Sequence, residues 1–203
     1  MRSSAIPGPG ARRRLTALGL LAGLLTAGLG AETPAGWWRQ LSLCDLQGAP
    51  LNPAGRWFVV VFLGQECPVA NASVPVLNRL AAEFSPRGFV FVGAYVDPTA
   101  DLGALRSHAA AYALGFATAD DRAQRLARLA GATYTPEVVV FSARGEKLYA
   151  GRIDDRVGDL GAARPAAAHE ELREVLRALA AGRPGPFEGK PGYGCALPEV
   201  VRP

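Results

Sequence analysis

Phe62-Leu63-Gly64-Gln65-Glu66-Cys67-Pro68-Val69-Ala70-Asn71 joins two different hydrophobic patterns. Before it, Trp57 through Leu63 is almost wholly apolar, as expected of a central strand covered on both faces. After it, Val74, Leu77, Leu80, Ala81 and Phe84 recur at three- and four-residue steps, which predicts a helix over Pro68–Phe84. Cys67 therefore sits just past a strand and just before a helix. A helix N-terminus stabilises a thiolate, the reactive form of cysteine. Pro68 suits the first helical position, where its missing N–H costs nothing. Glu66 opposes the effect, since a nearby carboxylate raises a thiol pKa; the dipole prevails if Glu66 faces solvent.

Working outward, Trp37–Leu46 reads as an entry strand or extended segment and Gln47–Gly55 as a turn-rich connection. Gly88 closes the first helix and Phe89–Val96 forms a second buried strand. Asp97-Pro98-Thr99 turns into a helix over about 101–114, in which His108 is expected on the surface. Gly115–Ala119 reads as a short strand or an extended turn, and 121–129 as a short, Arg-rich helix. Gly131-Ala132-Thr133-Tyr134-Thr135-Pro136 leads into a strand over Glu137–Phe141. Arg144-Gly145 is a hairpin turn, Lys147–Arg152 the returning strand, and 167–181 the last helix. Two strand–helix units, a hairpin and a final helix give an α/β layer sandwich.

This order resembles the thioredoxin fold, and the redoxin group (AhpC/TSA, peroxiredoxin-like and exported thioredoxin-like proteins) within it. The residues carrying the resemblance are Phe62-Leu63-Gly64-Gln65-Glu66-Cys67, Pro75-Val76-Leu77-Asn78-Arg79-Leu80, Tyr134-Thr135-Pro136 and Arg144-Gly145, across about 41–181. It implies a three-layer sandwich with a central mixed sheet and helices on both faces. Cys67 falls on the first cysteine of the family's C-x-x-C motif and Ala70 on the second. Thr135-Pro136 falls on the loop whose proline is cis in that fold, and X–Pro bonds tolerate cis far better than others. A cis turn there would set the backbone of Thr135 beside Cys67.

The ends of the chain change the bulk charge. Met1–Ala31 reads as an export signal: Arg2, Arg12, Arg13 and Arg14 precede the uncharged run 15–30, and small residues follow. That run is ~16 residues against the ~20 needed to span a bilayer, which favours cleavage over a retained anchor. The full chain has 22 basic and 18 acidic residues, and removing those four arginines leaves 18 against 18. The basic pI thus belongs to the leader, and no nucleic-acid surface is expected. The sequence divides into 1–31, a thioredoxin-like domain over 32–182 and a Gly/Pro-rich tail over 183–203. The location implied is periplasmic or otherwise outside the cytoplasm.

Topology gathers candidate residues at one sheet end: Cys67, Thr135, Pro136, Asp97, Asp154, Asp155, Arg156 and His169. Ala70 cannot resolve a mixed disulfide, so three routes stay open for Cys67. It acts as a monothiol, as a peroxidatic cysteine that becomes a sulfenic acid, or by pairing with Cys195. The last is within reach: 14 residues separate Ala181 from Cys195, a span of up to ~45 Å when extended. Against the peroxidatic route, Gly64 stands where peroxiredoxins carry threonine. The expected chemistry is thiol–disulfide exchange or peroxide reduction, with Cys67, Cys195, Thr135 and Pro136 as site residues. Expected partners are protein or small-molecule thiols and disulfides, or a peroxide; no organic cofactor is implied. Two alternatives come from other classes. One is a Sco-like copper protein with Cys67, His169 and Cys195 as soft ligands, although Asn71 replaces that motif's second cysteine. The other is a redox-inactive binding module. Cys44 has no assigned role.

Overall fold

The structure, a computed structural model, describes residues 41–51, 57–158 and 164–200. The expected export segment, the first four residues of the entry strand, part of the turn at 47–55 and the end of the tail lie outside them. Among the described residues no helix is long and apolar enough to cross a membrane.

Seven strands and four α-helices are described: β1 Trp57–Leu63, α1 Pro68–Phe84, β2 Phe89–Tyr95, α2 Leu102–Ala111, β3 Ala117–Asp120, α3 Arg125–Ala130, β4 Tyr134–Thr135, β5 Glu137–Phe141, β6 Lys147–Gly151, α4 Glu171–Ala180 and β7 Cys195–Ala196. Five form the central sheet in the order β3-β2-β1-β5-β6. β1 pairs in parallel with β2 and antiparallel with β5, as the expected mixed sheet requires. The chain has the thioredoxin-like α/β sandwich fold.

The pleat of β1 shows why its run is apolar throughout. Val59, Val61 and Leu63 enter the core formed with α1 and α4, and with Leu105 of α2. Phe58, Val60 and Phe62 enter a second core with Leu126, Ala127 and Ala130 of α3. Successive strand residues face opposite sides, so both faces must be apolar. At about 25 cal/mol per Å² of apolar surface, each fully buried Val, Leu or Phe contributes about 1.5–3 kcal/mol.

Several boundaries differ from expectation, each through a side chain that captures backbone. The described part of the entry segment is not a regular strand; it makes only isolated bridges, Cys44 with Pro50 and Asp45 with Ala119. Asp45 Oδ1 accepts from the N–H groups of Gln47 and Ala49 and folds the chain into a turn. α2 starts one residue late because Asp101 caps it, accepting from Ala104 N at 3.0 Å. α4 starts four residues late because Asp155 takes the N–H groups of Ala168 and His169, at 2.7 and 3.0 Å.

The tail is extended and ordered. Its Phe187 N–H donates to Leu148 O at 2.7 Å, and Lys190 O accepts from Arg152 N at 3.0 Å. It therefore runs beside β6 toward the sheet end where β1 stops. There it crosses over, and β7 pairs antiparallel with β4.

Candidate active site

Cys67 is the N-cap of α1, with extended backbone and its sulfur accepting from Ala70 N–H at 3.5 Å. Ala70 thus supplies a hydrogen bond in place of a second thiol, while its methyl group is buried in the core. Glu66 is exposed, as the dipole argument needed. Cys67 itself is only 2% exposed.

Three of the other expected residues meet it. The Thr135–Pro136 bond is cis. Thr135 is buried, and its carbonyl accepts from the Cys67 thiol at 3.1 Å. The β4–β7 register sets Cys195 directly opposite Thr135. This brings the Cys195 thiol and backbone N–H within hydrogen-bond reach of the Cys67 sulfur. All three cysteines are free thiols, with Cys67 buried, Cys195 exposed and Cys44 between.

The two thiols at the site are driven apart electrostatically. Burial pushes the Cys67 thiol up, but hydrogen bonds from the Cys195 thiol, the Thr135 hydroxyl and two backbone N–H groups outweigh it. The net effect holds Cys67 below the usual thiol range. The Thr135 carbonyl works the other way, because it favours the protonated form. Cys195 is pushed up to about 11, first by its hydrogen bond to Cys67 and then by burial and the neighbouring charge. A pair separated in this way has assigned roles. The arrangement favours charge on Cys67 and the proton on Cys195.

A hydroxyl does stand beside Gly64. A Cβ on Gly64 would lie 3.1 Å from Thr135 Oγ1 and 3.2 Å from Cys67 Cβ. The Thr135 hydroxyl thus occupies the space beside position 64 and itself reaches the sulfur.

The remaining candidates do other work. Asp97 accepts from the backbone and hydroxyl of Thr99, closing a turn. Asp154 pairs with Arg156 at 2.8 Å, with its side chain buried rather than solvated. Asp155 caps the approach to α4 and pairs with Arg164 at 2.9 Å. His169 is exposed and lines a cavity of about 240 Å³ with Tyr149, Glu171 and Lys190. Among the described residues no three His, Cys, Asp or Glu side chains converge as a metal site. The copper set Cys67, Cys195 and His169 is therefore not assembled, because Asp155 holds the backbone of His169 on the approach to α4.

His108 is a further correction. It is half-buried, not a surface residue. Its Nδ1 is 2.7 Å from the Tyr95 hydroxyl and its Nε2 is 2.9 Å from Asn71 Oδ1. Asn71 Nδ2 in turn donates to Gln65 O at 3.1 Å. Burial pushes the His108 pKa down, so the neutral ring accepts from Tyr95 and donates to Asn71. This relay supports the loop before Cys67. Nothing in its spacing marks it, because Asn71, Tyr95 and His108 belong to three separate elements.

The family model described as AhpC/TSA matches residues 32–148. A comparison with curated protein sequences finds no match. Among solved structures, an uncharacterized conserved protein from Geobacillus kaustophilus is 25% identical, with a TM-score of 0.66 over 80% of this chain and 89% of that one. A secreted disulfide oxidoreductase from Mycobacterium tuberculosis is 25% identical, with a TM-score of 0.51 over 69% and 98%. The bacterioferritin comigratory protein of Xanthomonas campestris, described for alkyl peroxide reduction, is 20% identical with a TM-score of 0.52 over 70% and 90%.

Proposed function

Because the chain belongs to the AhpC/TSA family, we propose that it is an exported thiol redox protein acting through Cys67, with Cys195 as the resolving thiol. The observation that carries this reading is the pair of thiols that the β4–β7 register brings together, with Cys195 set opposite Thr135, whose carbonyl accepts from the Cys67 thiol; the lowering of Cys67 and the raising of Cys195 accord with it. An inert docking module has no need of such a pair.

With a hydroperoxide, the Cys67 thiolate attacks one peroxide oxygen and the O–O bond breaks. The departing alkoxide (or hydroxide) takes a proton from solvent and leaves as the alcohol (or water), and Cys67 becomes a sulfenic acid. The Cys195 sulfur then attacks the Cys67 sulfur and the S–O bond breaks. Water departs with the Cys195 proton, leaving a Cys67–Cys195 disulfide. With a small disulfide, the thiolate forms a mixed disulfide and releases one thiol. Attack by Cys195 releases the second. The hydrogen bond of Thr135 to the sulfur supports either route. Export rests on Met1–Ala31, and it accords with the secreted relative from Mycobacterium tuberculosis.

Oxidation of the reduced protein with stoichiometric hydrogen peroxide, then thiol blocking and peptide mapping, tests the reading. The expected product is a Cys67–Cys195 peptide, and Cys195→Ser accumulates a dimedone-reactive sulfenic acid at Cys67. Absence of that peptide overturns the resolving role. Intact mass of the protein recovered from cells reports in the same run whether the leader has been removed.

A further inference from the structure

The segment that presents Cys195 also occupies the space through which any other polypeptide cysteine must approach. Cys195 reaches Cys67 because its strand pairs with Tyr134 and Thr135. A second polypeptide presenting a cysteine to the same sulfur would have to lay its backbone along that edge. The tail already fills it and is clamped on both sides of Cys195. Ahead of the cysteine, Gly192 N–H donates to the Tyr134 hydroxyl at 2.9 Å. Behind it, Leu197 N–H donates to Thr133 O at 3.1 Å, and Pro198 O accepts from Gln124 Nε2 at 2.7 Å.

The fit is made at glycines. A Cβ on Gly194 would lie 1.8 Å from the Thr135 carbonyl oxygen, and one on Gly189 would lie 1.6 Å from Ala150 O. Both atoms are backbone, so neither contact relaxes by a rotamer change. The tail thus lies closer to the domain than any chain with side chains at those positions could. With the tail in place Cys67 is only 2% exposed, which leaves its sulfur to molecules small enough to reach it past the tail.

We propose that the docked tail sets the substrate class of Cys67, admitting small oxidants such as hydrogen peroxide and excluding polypeptide disulfides. Gly189 and Gly194 are the specificity-determining positions, because they let the tail dock closely enough to hold the β4 edge. The inference rests on Cys67 being the redox nucleophile, but not on Cys195 resolving it.

The test uses the full chain with Cys44→Ser and Cys195→Ser, so that Cys67 is its one thiol. Two reactions are timed. One is oxidation by hydrogen peroxide. The other is attack on an extended peptide whose cysteine carries a thionitrobenzoate mixed disulfide. In the second, the Cys67 thiolate bonds to the peptide sulfur and coloured thionitrobenzoate leaves. Adding Gly194→Val, or Gly189→Val at the distant Ala150 contact, lifts the tail. Each is expected to speed the peptide reaction about tenfold or more, corresponding to a docking free energy of about 1.4 kcal/mol, with the peroxide rate changed far less. Phe187→Ala, which loosens the tail by removing an apolar anchor, gives the same pattern without added bulk. The proposal is overturned if no variant accelerates the peptide reaction. It is overturned equally if Gly194→Val alone does, or if both reactions accelerate together. A missing Cys67–Cys195 disulfide in the unmodified protein would instead defeat the resolving role and leave this ratio standing.

Discussion

Cys67 is buried, which disfavours its charged form, and four hydrogen bonds reverse the outcome. Thr135 is the one whose contribution can be removed cleanly. Valine keeps the shape and the backbone that pairs with Cys195, and loses only the hydroxyl. A hydrogen bond to a charged group contributes about 1.5–3 kcal/mol, partly offset because a more basic thiolate is intrinsically more nucleophilic. Thr135→Val is therefore expected to slow alkylation of Cys67 about three- to tenfold at neutral pH. The pH profile gives the sign. In the unmodified protein the rate rises with pH through the lowered Cys67 pKa and levels off before the ordinary thiol range. Cys195, pushed up to about 11, stays protonated over that range and does not compete for the reagent. In Thr135→Val the inflection moves up; an unmoved inflection would remove the hydroxyl from the account. Thr135 and Pro136 were legible in the sequence only through the family resemblance. The placing of that hydroxyl beside Gly64 was not, because residues 64 and 135 meet only in the fold.

Between elements, the relay from Tyr95 on β2 through His108 on α2 to Asn71 on α1 is what sequence periodicity misses. A histidine mid-helix with polar neighbours reads as surface, and only the approach of three elements turns it inward. His108→Leu would leave the Tyr95 hydroxyl, on a residue with no exposed surface, and the Asn71 amide without their partners. A stranded buried polar group costs about 1–3 kcal/mol, so chemical denaturation should show a loss of that size. His108→Leu with Tyr95→Phe should recover part of it; if the single variant costs nothing, the relay does not bear on stability. The apolar strands and α1 were legible nearly to the residue, because a run apolar on both faces has few other homes. The errors in the entry segment, α2 and α4 share one cause. Asp45, Asp101 and Asp155 each capture backbone N–H groups, and an aspartate's partner cannot be read from its own position.

For the molecule as a whole, the tail decides which sulfur meets the outside. Chain length alone made contact between Cys195 and Cys67 feasible, and the glycines that let the tail dock read in the sequence only as flexibility. As free thiols Cys195 is exposed and Cys67 buried, and a disulfide formed between them with the tail docked presents Cys195 to solvent. Thiol–disulfide exchange favours attack on the accessible sulfur and departure of the thiol with the lower pKa. Here both criteria select the same direction. The thiolate of a reductant attacks Cys195, the S–S bond breaks, and Cys67 leaves as the thiolate its hydrogen bonds already stabilise. A reductant therefore does not need the β4 edge, and re-reduction proceeds with the tail still docked. Mixing the oxidised protein with an excess of a small monothiol, then quenching with acid, is expected to trap the adduct on Cys195. Peptide mapping that found the adduct mainly on Cys67 would mean the tail leaves before reduction, and would reverse the order in which the two thiols meet the donor.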